Sequence, residues 1–339
     1  MLGAGVELAD TRPVLRGVVS SLWVAAAVAT ALSPTTARAT GEDRHANDSF
    51  GAALAVDGER LRVGAPGANS VAFNAGAVWV YEPGRDGPVD RIVPRDAPAH
   101  GRLGGALALD GDRLLVATGM DIAQGPWRRQ RAWIFRRKGA RWVEEAELSR
   151  EDPESLSDMF GLAVALSGGR AAISTMRTQV GNAYVDADVD VFELVDGVWA
   201  RRARLPGWSS RLVLVGDTLW LEGGSTWRVF QARGGSWTEV PSEISGDVIA
   251  VPGTPARVAV VDGETLSVIR VEEPWTIEAT VALPGDSYGG SRLLAASSGQ
   301  IAVGRRGGVG GQWVSARDHD VPGRGGPVAR RRGGSGRAG

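Results

Sequence analysis

From residue 130 to residue 280 the chain repeats one phrase: an aromatic or aliphatic residue, six intervening residues, then Trp. It occurs as Phe135 to Trp142, Phe192 to Trp199, Phe230 to Trp237 and Val268 to Trp275, and the four Trp are separated by 57, 38 and 38 positions. The intervening residues include Lys138-Gly139, Asp196-Gly197 and Gly234-Gly235, pairs that suit tight turns because Gly, and Asp to a lesser degree, accept positive φ. Each phrase therefore reads as a β-hairpin. A hairpin recurring at this period marks a repeat architecture, in which one unit cannot bury its apolar face until its neighbours stack on it.

The same order is legible upstream. Leu54 and Val56 alternate with Ala, Asp57-Gly58 supplies a turn, and Leu61 and Val63 alternate again, which makes a first hairpin. Gly64-Ala65-Pro66-Gly67 ends it, since Pro cannot donate to a ladder. After a loop from Ala68 to Asn74, Gly76 to Tyr81 reads as a third strand and Val89 to Val93 as a short fourth. A second unit repeats this from Leu103-Gly104 and a third from Phe160-Gly161. Units four to six are shorter and more worn, and Trp313 matches either the third-strand Trp79 or the hairpin Trp of earlier units. No segment holds a 3.6-residue apolar period. The expectation is an all-β chain forming a β-propeller of about six to seven four-stranded blades, the last units degenerate. A pair of β-sandwiches is the other arrangement that strand counting allows.

Composition narrows the function classes. The net charge is −1, so no overall field selects nucleic acid or an anionic membrane. The absence of Cys removes disulfides, thiolate metal sites and cysteine nucleophiles together. Arg12 and Arg16 precede an uncharged run from Val18 to Leu32, and Ala37-Arg38-Ala39 follows. Basic flank, short apolar core and small-residue site match a secretory signal peptide. The domain reading is a signal peptide at 1–39, the propeller at 40–320 and a disordered Gly/Arg-rich tail at 321–339, which has almost no apolar content to bury. The expected location is outside the cytoplasm: periplasmic, cell-surface or secreted, with no membrane span after signal removal.

At Phe50-Gly51 through Gly64-Ala65-Pro66 the chain resembles the FG-GAP repeat, the family that builds the seven-bladed propeller of integrin α subunits and many bacterial exported proteins. The match is fullest in the first unit and fades through Leu103-Gly104 and Phe160-Gly161; past Trp208 only the hairpin spacing persists. Calcium-binding blades of that family carry an acidic D-x-D-x-D-G loop. Here the corresponding turns are Asp57-Gly58-Glu59, Asp110-Gly111-Asp112 and Ser167-Gly168-Gly169, too few carboxylates for the six to eight oxygens Ca²⁺ takes, so no cofactor is expected.

Asp186, Asp188 and Asp190 form the one D-x-D-x-D string and are the candidate metal ligands. No Gly follows for the sharp turn, and the string runs into Val191-Phe192, so it also reads as a solvated acidic edge that blocks sheet-to-sheet pairing. His45, His100 and His319 lie far apart with no metal-binding spacing, and no G-x-S-x-G elbow occurs. The repeated Trp residues read as packing between blades, with carbohydrate stacking as the functional alternative. The insertions Ala68–Asn74, Thr118–Arg131 and Thr175–Asp188 fall at one place in units one to three and would gather on one side. Trp127, Arg128, Arg129 and Tyr184 are the candidate contacts there, for a protein or glycan partner. The alternative function is a hydrolase or lyase with carboxylates such as Asp121 and Asp186 near a central channel.

Overall fold

The computed structural model describes residues 47–57, 60–118, 131–150, 159–178, 184–207, 209–272, 274–283, 292–297, 300–305 and 314–317. The expected signal peptide and the Gly/Arg-rich tail lie outside them. Among the described residues there is no helix; every strand belongs to one of six antiparallel sheets. The first holds β1 (Leu54–Asp57), β2 (Arg60–Ala65), β3 (Ala77–Tyr81) and β4 (Asp90–Ile92). The second holds β5 (Leu103–Asp110), β6 (Arg113–Thr118), β7 (Ala132–Lys138) and β8 (Arg141–Leu148). The third holds β9 (Met159–Ser167), β10 (Arg170–Thr178), β11 (Tyr184–Val195) and β12 (Val198–Pro206). The fourth holds β13 (Leu212–Val215), β14 (Thr218–Glu222), β15 (Trp227–Arg233) and β16 (Ser236–Val240). The fifth holds β17 (Asp247–Val251), β18 (Arg257–Asp262), β19 (Thr265–Arg270) and β20 (Thr276–Ala282), and the sixth β21 (Arg292–Ser297), β22 (Gln300–Arg305) and β23 (Val314–Arg317).

In each sheet the strands follow chain order, so each is an antiparallel meander. The first strands touch in succession: β1 packs on β5, β5 on β9, β9 on β13, β13 on β17 and β17 on β21. They form the inner wall, and the fourth strands stand at the outer edge. That is a β-propeller, not a pair of sandwiches, because each inner sheet packs on both the one before and the one after. Trp313 itself lies outside the described residues, but Val314 pairs with Val303, which makes its segment a third strand.

Glycines set the spacing between blades. Gly51, Gly104 and Gly161 stand at equivalent places with φ of 91°, 96° and 101°, a backbone that L side chains rarely adopt. A Cβ on Gly64 would lie 2.1 Å from the carbonyl oxygen of Gly104, and one on Gly161 would lie 2.6 Å from Cβ of Ala117. The Gly64-to-Gly104 contact of blades one and two thus recurs as Ala117-to-Gly161 between blades two and three. At the opposite end the amide of Gly168 donates to Asp110 Oδ2 of the preceding blade at 2.7 Å, and that of Gly216 to Ser167 Oγ at 3.3 Å.

The apolar core is divided among the junctions. Leu114, Val116, Trp133 and Phe135 meet Val78, Val80 and Ile92 between blades one and two. Leu115 and Ile134 meet Phe160, Ile173 and Phe192 between two and three. Comparable clusters fill the next three junctions. The four repeated Trp wedge into these junctions from the outer hairpins, each against the preceding blade. Trp142 lies under the Arg62 guanidinium at 5.2 Å; Trp199 Nε1 donates to Glu145 at 3.5 Å and Trp237 Nε1 to Glu193 at 3.3 Å; Trp275 stacks on Trp220 at 5.2 Å. They are half-buried, while the fully enclosed Trp are Trp133 and Trp220. A β-bulge recurs at Phe135, Phe192 and Val268, the residues that open three of the four phrases.

Candidate functional site

The meander order sends the second-to-third-strand connections of all blades to one end of the sheets, and the first-to-second and third-to-fourth turns to the other. The long insertions therefore leave from one end. The first insertion is well defined. Ala68 N donates to Ala65 O, Ala75 N to Ala72 O and Gly76 N to Ala68 O; Ser70 Oγ donates to Gly76 O at 2.6 Å, and Asn74 N to Asn69 Oδ1 at 2.8 Å. The segment leading into the second blade fastens it from outside, with His100 N donating to Phe73 O at 2.7 Å, Arg102 N to Asn74 O at 3.0 Å and Leu103 N to Ala75 O at 2.9 Å. Held this way, Val71 is 61% and Phe73 60% exposed, and the Phe73 ring meets His100 edge-on at 5.1 Å. Sequence reading marked this insertion but nominated none of its residues; the unused signal was two large apolar side chains two positions apart in a loop without charge.

At the base of the third insertion lies a buried ion cluster. Asp188 and Asp190 stand on β11, an internal strand between β10 and β12, and alternation turns both to one face. Arg150, just past the end of β8, reaches across the junction: Nη2 meets Asp188 Oδ2 at 2.8 Å and Nε lies 3.2 Å from Asp190 Oδ2. Arg204 Nε lies 3.3 Å and Arg201 Nη1 3.7 Å from Asp190 Oδ1. Asp190 is fully enclosed. Burial pushes its carboxyl above the ordinary aspartate value; Arg150 opposes this, Asp188 adds to it, and Arg204 opposes it. The expectation of a solvated acidic edge is thus corrected: a strand paired on both sides has no edge to protect. The fit to Ca²⁺ is also poor, because three guanidinium groups already occupy the space around the two carboxylates where a cation would sit. Asp186 pairs through its backbone with Arg177.

The turn carboxylates are likewise engaged. Asp110 accepts the Gly168 amide, and Asp112 Oδ2 takes the Arg136 Nε–H at 2.8 Å, a bond that holds its carboxyl below the ordinary value. Among the described residues no group of three or more His, Cys, Asp or Glu could hold a metal ion. A cavity of about 320 Å³ opens at the insertion end of the fourth blade, lined by Thr226, Trp227, Arg228, Glu239, Val240 and Ser242. Its polar floor is the Arg228–Glu239 pair, closed on itself by two hydrogen bonds of 2.7 Å.

Of the expected contact residues, Trp127, Arg128 and Arg129 lie outside the described residues, as does Asp121. Tyr184 opens β11, its backbone paired with Thr178. The structure brings Asp188 and Asp190 together with Arg150, which sequence reading did not single out because it stands 38 positions from Asp188.

Residues 35–81 match the FG-GAP repeat family. No curated protein matches the chain. Among solved structures, a Pyrococcus horikoshii acylaminoacyl peptidase shares 11% identity with a TM-score of 0.41, over 80% of this chain and 45% of that one. A luciferin-regenerating enzyme shares 11% identity with a TM-score of 0.37, over 73% of this chain and 80% of that one. Among the described residues no helix is long and apolar enough to cross a membrane. With Gly51 and Gly64 on the first blade and each blade a four-stranded meander through the fifth, the chain has a β-propeller fold whose first unit, within residues 35–81, matches the FG-GAP repeat.

Proposed function

We propose that this protein is a noncatalytic, exported or cell-surface propeller that binds a partner protein through the insertion-bearing end of its blades. The observation that carries this reading is the segregation of connections: the first three blades send their longest loops to one end, while tight turns close the other. Repeat folds that vary loops on one face over a constant frame use that face for contact. Trp127, Arg128 and Arg129 belong to the second insertion, and Tyr184 opens β11 directly after the third, which the strands shorten from the expected Thr175–Asp188 to residues 179–183; all four are proposed contributors. A protein partner is favoured over a glycan because the repeated Trp, the natural stacking platforms, are wedged between blades against Arg62, Glu145, Glu193 and Trp220.

Export is supported by the signal-like segment before Thr40 and by the resemblance of the first unit to repeats of exported proteins. The chain lacking residues 1–39, immobilised and challenged with a glycan array and with the exported proteins of its source, tests the reading. Saturable protein binding without glycan binding is the expected outcome; no retention of either class contradicts it. N-terminal sequencing of exported protein should find a start near Thr40, and intact Met1 on cytosolic protein would contradict export.

A further inference from the structure

We infer that Val71 and Phe73 form a preorganised apolar knob at the junction of the first and second blades that inserts into an uncharged apolar pocket of a partner protein. This rests on the reading of the insertion end as a binding face and names the contact within it.

Two observations point to the knob, and a third follows from the second. The first is where exposed apolar surface lies. Among the described residues the exposed large hydrophobics are Val56, Val71, Phe73, Val89, Val195, Val198 and Ile277. Val56, Val89, Val195 and Val198 flank turns at the opposite end, and Ile277 is on an outer strand. Only Val71 and Phe73 lie at the insertion end, and they lie two residues apart.

The second is backbone strain. Among the described residues, non-Gly positive φ occurs at Ser49, Asn74, His100, Arg102 and Asp196, and Asn74, His100 and Arg102 belong to the two segments bonded together at this junction. Asp196 is accounted for by its hairpin turn. The three at the junction are joined by His100 N donating to Phe73 O and Arg102 N to Asn74 O. Held strain of this kind gathers where a surface must keep one shape. The third is that this bonding fixes the knob before any partner arrives, which removes most of the ordering cost of binding.

The chemistry of the loop selects its partner. Residues 69–76, Asn-Ser-Val-Ala-Phe-Asn-Ala-Gly, carry no charge. An anionic membrane would call for a cluster of Lys and Arg around the apolar tip, more than Arg102 alone supplies. A glycan would call for a flat ring ringed by donors, whereas the Phe73 ring meets His100 edge-on. A small apolar centre with a polar surround of Asn69, Ser70, His100 and Arg102 is the anatomy of a protein hot spot.

The test places a photo-crosslinking phenylalanine analogue at position 73, at position 71 and, as control, at the equally exposed position 277, in the full chain expressed in its source organism. The expected result is one discrete protein adduct from 73 and 71 and none from 277, with purified partner binding Phe73→Asp about thirtyfold more weakly than wild type while Ile277→Asp binds normally. Unchanged melting temperature of Phe73→Asp shows that the fold is intact; the crosslinks do not depend on that variant. Adducts to lipid, to glycan or to a second copy of this chain, equal adducts from 277, or no adduct each overturn the proposal. If the immobilised chain still retains a protein while position 73 forms no adduct, the knob is wrong and the binding-module reading stands; if nothing is retained, that reading fails with it.

Discussion

Arg150 shows how much can depend on one side chain. It is almost fully enclosed and is the ion partner common to Asp188 and Asp190 across the junction of blades two and three. Arg150→Ala leaves the two carboxylates with only the more exposed Arg204 and Arg201, so the cost should fall at the low end of the range for breaking a buried pair, about 3 kcal/mol. The pH dependence has a definite sign. The carboxyl of Asp190 is raised by burial, so the folded protein holds that proton more tightly than the unfolded chain does. Its favourable contribution is complete below the unfolded value and is lost as pH rises through the folded one. Deleting Arg150 raises the carboxyl further, so the penalty should be full at about pH 7 and shrink toward about pH 4. Denaturant unfolding of wild type and Arg150→Ala at the two pH values checks this; a penalty independent of pH contradicts it. Asp190→Asn, which removes the buried charge but keeps its shape, should cost clearly less than Arg150→Ala at neutral pH.

At the scale of the element, the hairpin Trp and the interblade Gly decide how sheets seat on one another. Trp199 and Trp237 are half-buried wedges, so their replacement by Ala should cost about 2–3 kcal/mol, below the range of about 3–5 for an enclosed aromatic such as Trp220. Comparable losses at Trp199 and Trp220 would show that the wedge is as enclosed as the core. Among glycines the contrast is sharper. A methyl group on Gly64 has nowhere to go, with the Gly104 carbonyl 2.1 Å away, whereas Gly139 faces open space at a φ of 64°. Gly64→Ala should separate blades one and two and destabilise by about 3 kcal/mol or more, while Gly139→Ala should cost only about 1 kcal/mol of backbone strain. Thermal unfolding of the two variants distinguishes close approach from conformational preference. The outer strands meet the hazard of open edges through charge: β8 carries Glu144, Glu145 and Glu147, and β12 carries Arg201, Arg202 and Arg204.

For the whole molecule the consequence is a succession of sheets, each packed on the next and joined by covalent connections, glycine contacts and arginine–carboxylate pairs. Asp110, Asp112, Asp188 and Asp190 are already bonded to an amide or to guanidinium groups of the protein. Chelator should therefore leave the melting temperature unchanged, and loss of stability in EDTA restored by Ca²⁺ would contradict this and point to Asp186, Asp188 and Asp190. The hairpins, the turn glycines and the grouping of strands by four were legible in the sequence, because alternation and turn chemistry act between residues a few positions apart. The fifth blade marks the limit of that reading. Its Val268-to-Trp275 phrase spans a five-residue loop, 271–275, since Arg270 pairs with Thr276, yet the same spacing elsewhere spans a two-residue turn. By itself, then, the chain's local pattern determined an all-β repeat fold, the course of its strands and the glycines at its motif. Only the tertiary structure decided that Arg150 neutralises an acidic string, that the repeated Trp are wedges and not a binding series, and that Val71 and Phe73 face outward. These depend on which blades meet, and contacts between blades join residues too far apart in the chain for a period or a spacing to record them.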